Sequence, residues 1–365
     1  MALAGVSNSD LADLIATTTE NLPKMTVEYA LNYQTFEVIN RWFQKDKIQI
    51  GDGTEILRDI VLDRSGNANH VKLYQELTIN VVDVASQIKA PWRQLEYHWS
   101  IERREAARNS KPAQFVNLVD MRRNESAVGA AELLEERAWL SPDSSSDDLN
   151  PYGIPYWIPK LAAGQAGEGF YGGSDTTYAT TTGNIDPATT GDNTVDITGG
   201  KPLWRSYCAG GTAYYDSMNA TALRTMLKMF LKIQFQSPYT VKDLELGPLS
   251  NYRIYCNTDS YVALVELCRQ QNENIGADLA RYNGITVFSR VPIIHIPYLD
   301  NDTSDPVYMV NHNKFEPFVL DGDYFRESPP MNSREQSNVF TTVTDLSYNF
   351  LCTNRRMQGV MNKTA

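Results

Sequence analysis

The stretch FVNLVDMRRNESAVGAAELLEERAWL, Phe115 to Leu140, decides how the rest of the chain is read. Pro112 disfavours helical geometry at Lys111 and itself suits a first helical turn, so a helix starts there. Pro142 stops it just after Leu140, which gives a helix over 112–140. Ala127, Ala130, Ala131, Leu134 and Ala138 recur at three- and four-residue spacing and form one narrow apolar stripe of mostly small side chains. Arg122, Arg123, Glu125, Glu132, Glu135 and Glu136 mark the wetter faces, the acid pair Glu135–Glu136 being read as solvated charge. At about 1.5 Å per residue the rod is roughly 40 Å long. That is more than a small globular domain needs.

The flanking segments are strands with one apolar face. From Val71 to Val81 the odd positions are Val71, Leu73, Gln75, Leu77, Ile79 and Val81, and Leu95, Tyr97, Trp99 and Ile101 alternate with polar residues in the same way. Separated by a connection containing Lys89, Ala90 and Pro91, the two are expected to form an extended β-ribbon. Two strands alone are marginal in water, so the ribbon needs another surface, expected on another copy. Upstream, Leu11, Leu14 and Ile15, then Tyr29, Tyr33, Phe36 and Trp42, make short patterns broken at Pro23, which read as an arm packed on something else.

Downstream, 141–200 is poor in aliphatic residues, and Lys160 is its only basic residue. It reads as a long acidic surface loop anchored by the aromatic NPYGIPYWIPK. A strand within LWRSYCAGGTAYY leads to a helix capped by Asp216 or Ser217, with Leu223, Met226, Leu227, Phe230 and Leu231 buried. NYRIYCN is a strand feeding a helix that carries Tyr261, Leu264, Val265 and Cys268. GITVFSRVPIIHIPYL, PVYMVNHNKFEPFVL and NVFTTVTDLSYNFLCTNRRMQGVMN are further strands. No internal repeat is present.

With 365 residues the chain can bury a sizeable core. Its N-terminus lacks a basic region followed by an apolar run, and no apolar stretch is long enough to span a bilayer, so synthesis in cytoplasm and no membrane association are expected. Cys208, Cys256, Cys268 and Cys352 are widely spaced and read as buried thiols rather than zinc ligands. A net charge of −11 argues against a soluble nucleic-acid reader but not against contact with nucleic acid inside an enclosure.

Chemistry-bearing motifs are missing. There is no GxSxG, HExxH, phosphate-binding loop or CxxC, and His70, His98, His295 and His312 are scattered. GEGFYGG lacks the Lys and helix of a phosphate loop and reads as plain loop. Asp300, Asp302 and Asp305 in LDNDTSD lack the Gly and closing Glu of a calcium loop and read as an Asx-rich turn. Neither catalytic residues, metal nor cofactor are expected.

The run KAPWRQLEYHWSIERREAARNSKPAQFVNLVDMRRNESAVGAAELLEERAWL resembles the extension-loop end and spine helix of tailed-phage major capsid proteins with the Hong Kong 97-type (Johnson) fold. NPYGIPYWIPK, YCNTDSYVALVELCRQQNENIG, GITVFSRVPIIHIPYLD and SYNFLCTNRRMQGV extend the similarity. The resemblance implies an α+β fold with an N-terminal arm (1–48) and an extension loop (49–110). A peripheral domain (111–202 and 301–365) would carry the spine helix and an acidic Gly/Thr loop (160–200), and an axial domain would span 203–300. It implies a shell of pentamers and hexamers around packaged double-stranded DNA, contacted non-specifically. It also implies portal, scaffolding and decoration proteins as partners, with assembly in host cytoplasm and a final place in the virion.

Candidate inter-subunit residues are Arg58, Asp59, Asp63 and Arg64 on the extension loop, and the helix charges Arg122, Arg123, Glu132 and Glu136, turned to the interior or to neighbours. Alternatives are an encapsulin-type compartment, which shares the fold, and a β-rich carbohydrate-active enzyme, suggested only by the abundant Tyr and Trp and the Thr/Gly tract.

Overall fold

The computed structural model describes residues 36–43, 48–62, 68–76, 85–108, 112–144, 146–161, 166–172, 203–235, 251–270, 279–282, 285–289, 291–333, 336 and 338–363. Most of the expected arm and nearly all of the acidic tract lie outside these residues, as do Asp63 and Arg64. The strands before the long helix are β1 (Gln49–Gly51), β2 (Glu55–Val61), β3 (Ala85–Pro91) and β4 (Arg93–Glu102). After it come β5 (Gly167–Tyr171), β6 (Ser206–Gly210), β7 (Tyr252–Cys256), β8 (Leu279–Tyr282), β9 (Ile285–Phe288) and β10 (Val291–His295). The last are β11 (Val307–Asn311), β12 (Phe315–Leu320), β13 (Arg326–Glu327), β14 (Met331–Asn332), β15 (Val339–Cys352) and β16 (Gly359–Asn362).

β15 organises the first sheet. It pairs antiparallel with β12 and β4, and with the short β13 and β14, while β1 joins β12 in parallel. The β4 pairing runs unbroken from Val339 opposite Glu102 to Tyr348 opposite Arg93, placing Leu95 against Leu346. The long helix runs Pro112–Ala138 and crosses this sheet, where Leu118 packs with Ile101 and Trp99. Its buried residues are Leu118, Ala130, Leu134, Glu135 and Ala138, an i, i+4 stripe in its second half, whereas Ala127 is exposed. Small side chains there let the helix approach its neighbours closely. Beyond its end the backbone folds back so tightly that a Cβ on Gly153 would stand 2.1 Å from the Leu140 carbonyl oxygen.

The apolar face of β4 is therefore covered within its own subunit, and β4 is not an arm of a ribbon. Residues 68–76 are not a strand either. They turn at Lys72–Gln75, with Tyr74 at φ 64°, and residues 77–81 lie outside the described residues. The ribbon exists, but between β2 and β3, from Glu55 opposite Pro91 to Val61 opposite Ala85. Arg58 and Asp59 interrupt the alternation of EILRDIV, which hid the strand.

The second sheet has eight strands in the order β5-β6-β16-β11-β7-β10-β9-β8. β11 and β16 fall in 301–365, the range expected beside the long helix, yet they pair with β7 and β6 of the other unit. GEGFY, expected as loop, is edge strand β5. β6, β7, β11 and β16 are buried on both faces, so burial alone leaves their places in the sheet open. One face holds Ile254, Ile293, Met309 and Met361 beneath two helices, Ala220–Lys232 and Thr258–Gln270. Asn219 caps the first, accepting from the Thr221 and Ala222 amides, in place of Asp216 or Ser217. Leu231, expected in its buried face, is exposed. The other face, with Cys208, Tyr255, Tyr308 and Val360, shares one core with the first sheet.

Buried Arg355 ties the two parts together. Its guanidinium donates to the carbonyls of Trp157, Trp204 and Gly172 at 2.7, 3.2 and 3.3 Å, and burial without a carboxylate holds its pKa down at about 10. The aromatic anchor is built as expected: Tyr152 stacks on Tyr156 at 4.0 Å, and the Trp157 indole donates to the Tyr152 and Phe350 carbonyls. The aspartates of LDNDTSD are all engaged structurally. Asp300 accepts from the amide and hydroxyl of Thr258, Asp302 holds Lys160 at 2.6 Å, and Asp305 holds Lys363 at 2.8 Å.

Candidate assembly surfaces

The β2–β3 ribbon has an inner and an outer face. Inward, Ile56, Ile88 and Ala90 are buried in the subunit's own core, and the Arg58 guanidinium lies 5.7 Å from the centre of the Phe318 ring. Arg58 is thus engaged by its own subunit. Outward, Asp59 accepts from Gln87 at 3.1 Å, between the exposed side chains of Leu57 and Val61. Further out, Val71, Leu73 and Tyr74 stand in water, Leu73 at 86% and Tyr74 at 97% of full exposure. The Lys72–Gln75 turn, closed by Gln75 N to Lys72 O at 3.1 Å and by Lys72 N to Gln75 Oε1 at 2.9 Å, presents them on a left-handed residue. A bulky residue in that conformation carries backbone strain.

Beside the long helix runs a groove of about 640 Å³ lined by His98, Trp99, Arg122, Glu125, Gly129 and Glu132. Of the helix charges, Arg122 is spent inside the subunit: it donates to Glu105 at 2.8 Å and to the Ser100 carbonyl at 3.0 Å. Arg123 pairs with Glu327 at 2.5 Å. Glu132 and Glu136 are half-buried.

Glu135 overturns its reading as a solvated charge. It is 1% exposed, and its carboxylate accepts from the Val38 amide at 2.7 Å and the Trp139 indole at 3.0 Å. Burial without a cation pushes its pKa up to about 7. These bonds fix the short helix Val38–Trp42, where the chain leaves the arm, against the long helix. Trp42 sits among Trp139, Tyr255, His312, Phe315 and Phe350. Glu37 beside it pairs with buried Arg253 at 2.6 Å and accepts from the Tyr255 hydroxyl at 3.2 Å, its pKa nonetheless raised by burial. The one sequence signal for this latch was Glu135 adjoining Leu134 on the apolar stripe, four residues before Trp139.

No family model matches the sequence, and no curated protein matches it. Solved structures do. The chain is similar to a subunit of the cyanophage A-1(L) capsid, with a TM-score of 0.57 and 11% identity over 95% of this chain and 98% of that one. It is similar to the capsid of Myoviridae phage XM1, with a TM-score of 0.52 and 9% identity over 99% of this chain and 100% of the other. The SrpI encapsulin of Synechococcus elongatus PCC 7942 gives a TM-score of 0.53 at 7% identity over 99% and 96%. The chain has the α+β fold of these capsid and encapsulin subunits along nearly its whole length, the fold that the resemblance implied.

Proposed function

We propose that this chain is the major capsid protein of a tailed phage, a structural subunit rather than an enzyme. Copies assemble into pentamers and hexamers by heterologous contacts, in which one surface meets a different surface of the next copy and the ring closes. The observation that carries this reading is the set of exposed apolar side chains on the outer face and tip of the ribbon, Leu57, Val61, Val71, Leu73 and Tyr74, on a fold shared with capsid subunits. Assembly takes place in host cytoplasm and the finished shell belongs to the virion. There it encloses double-stranded DNA without reading sequence and meets portal, scaffolding and decoration proteins. The encapsulin similarity favours one second reading, a compartment around protein cargo, which differs in content and not in construction.

Electron microscopy of the purified protein tests the proposal, with closed shells of fivefold and sixfold units expected. Replacing residues 63–83 by a two-residue Asn-Gly turn keeps Ile56, Leu62, Ile88 and Ala90 in the core and removes the tip. That variant should fold and stay a soluble monomer or small oligomer; normal shells from it would sink the reading. Nucleic acid rather than protein inside particles from the native source separates a phage head from a compartment.

A further inference from the structure

The two helices on the eight-stranded sheet differ in charge. Ala220–Lys232 contains Arg224, Lys228 and Lys232 and no acidic residue. Its water-facing stripe is Thr221, Arg224, Lys228, Leu231 and Lys232, with Leu231 65% exposed. Lys228 is held by Glu168 of β5 at 3.0 Å. Thr258–Gln270 presents Asp259, Val262 and Glu266, with Val262 50% exposed. Among the described side chains, Leu231 lies between Lys228 and Lys232 on the first helix and Val262 between Asp259 and Glu266 on the second, which also contains Arg269 near its C-terminal end.

Their positions are complementary as well. Both helices cover the same face, since Met226, Met229 and Leu264 join one core. The basic helix lies over β6 and β16, where Met229 meets Gly359, and the acidic helix packs on β10 and β8. In the order β5-β6-β16-β11-β7-β10-β9-β8 these are opposite ends. In a ring of identical copies built by heterologous contacts, rotation brings one end of a copy to the other end of the next. The surfaces that meet in such a ring are therefore different surfaces, and these two match in sign.

We infer that the basic stripe of helix Ala220–Lys232 docks against the acidic stripe of helix Thr258–Gln270 in the adjacent copy, Leu231 packing beside Val262, and that this contact closes the capsomer ring. The inference rests on the shell reading and adds to it the surfaces that meet. Exposed ion pairs are individually weak, but a closed ring repeats the contact at every junction, and its salt dependence follows from screening over about 8 Å at physiological ionic strength.

The test uses full-length chains with charges reversed. One variant carries Arg224→Glu and Lys232→Glu, the other Asp259→Lys and Glu266→Lys. Each alone should lower shell yield at least tenfold, and the chain carrying all four changes should return to within about twofold of the parent. An equal mixture of the two variants has a sharper outcome. One copy is then acidic at both ends and the other basic at both, so they alternate and close sixfold rings but not fivefold ones. Normal shells from either variant alone, or failure of the fourfold variant to recover although its circular dichroism and melting match the parent, would overturn the inference. Should a reversed chain misfold, Arg224→Gln with Lys232→Gln serves instead, with a weaker salt dependence of assembly expected and an unchanged one overturning the idea. A parent chain that forms no shells rejects the capsid reading instead and is recognised before any variant is compared.

Discussion

Replacing Glu135 by Gln probes the buried latch between the short helix Val38–Trp42 and the long helix. Glu135 has its pKa raised by burial from 4.5 to about 7. An acid whose native pKa exceeds its unfolded value opposes folding while ionised. That penalty is fully present above about pH 7 and is relieved as the pH falls from there toward about 4.5. For these two values the gain in stability from about pH 8 to about pH 5.5 works out at about 2 kcal/mol. Glu37, also raised by burial, adds in the same direction. Arg41 and Arg253 face the same cluster, as does His312, which is bonded to the Tyr255 hydroxyl at 2.8 Å.

Glutamine is isosteric but offers one acceptor oxygen to two N–H donors, Val38 and the Trp139 indole, so one is left unsatisfied at a cost of about 1–3 kcal/mol. The Gln variant should be the less stable protein at about pH 5.5, and the gap should close by about pH 8. Urea unfolding of dissociated subunits, followed by tryptophan fluorescence, measures this, because Trp42 and Trp139 touch at 5.5 Å within the latch. If parent and variant lose stability in parallel across that range, within about 0.5 kcal/mol, the carboxylate ionises normally and the reasoning fails.

Two further outcomes are expected. Gly153→Ala drives a methyl group into the Leu140 and Ala138 carbonyls at 2.1 and 2.5 Å, so it should cost several kcal/mol and lower the melting temperature of the subunit, whereas Gly129→Ala on the open side of the long helix should be neutral or slightly stabilising. An affinity tag between Thr182 and Thr194 should leave assembly intact, because Arg355 holds both Gly172 and Trp204 at the stem, and antibody should bind it on unbroken particles, since like charge would keep an acidic tract away from DNA enclosed by the proposed shell. A tag reached only after disruption would show that the tract faces inward.

Length and period were legible along the chain. The long helix, β4, β7 and β15 stand where proline positions and side-chain alternation put them, because those signals are local and survive whatever the element packs against. Of the extension-loop candidates, Arg58 and Asp59 do lie on the ribbon, but its strand was hidden by those same two charges, while the cleaner alternation from Val71 continues into a turn. What period two cannot encode is the partner. β16 joins β6 in parallel across about 150 residues, and β11 joins β7, since strands with two apolar faces find their sheet only when the surfaces around them close. Glu135 shows the same division. Its neighbours in sequence made it one more charge on a wet helix, and only the return of Val38 and Trp42 over that helix removed it from water and set its proton affinity.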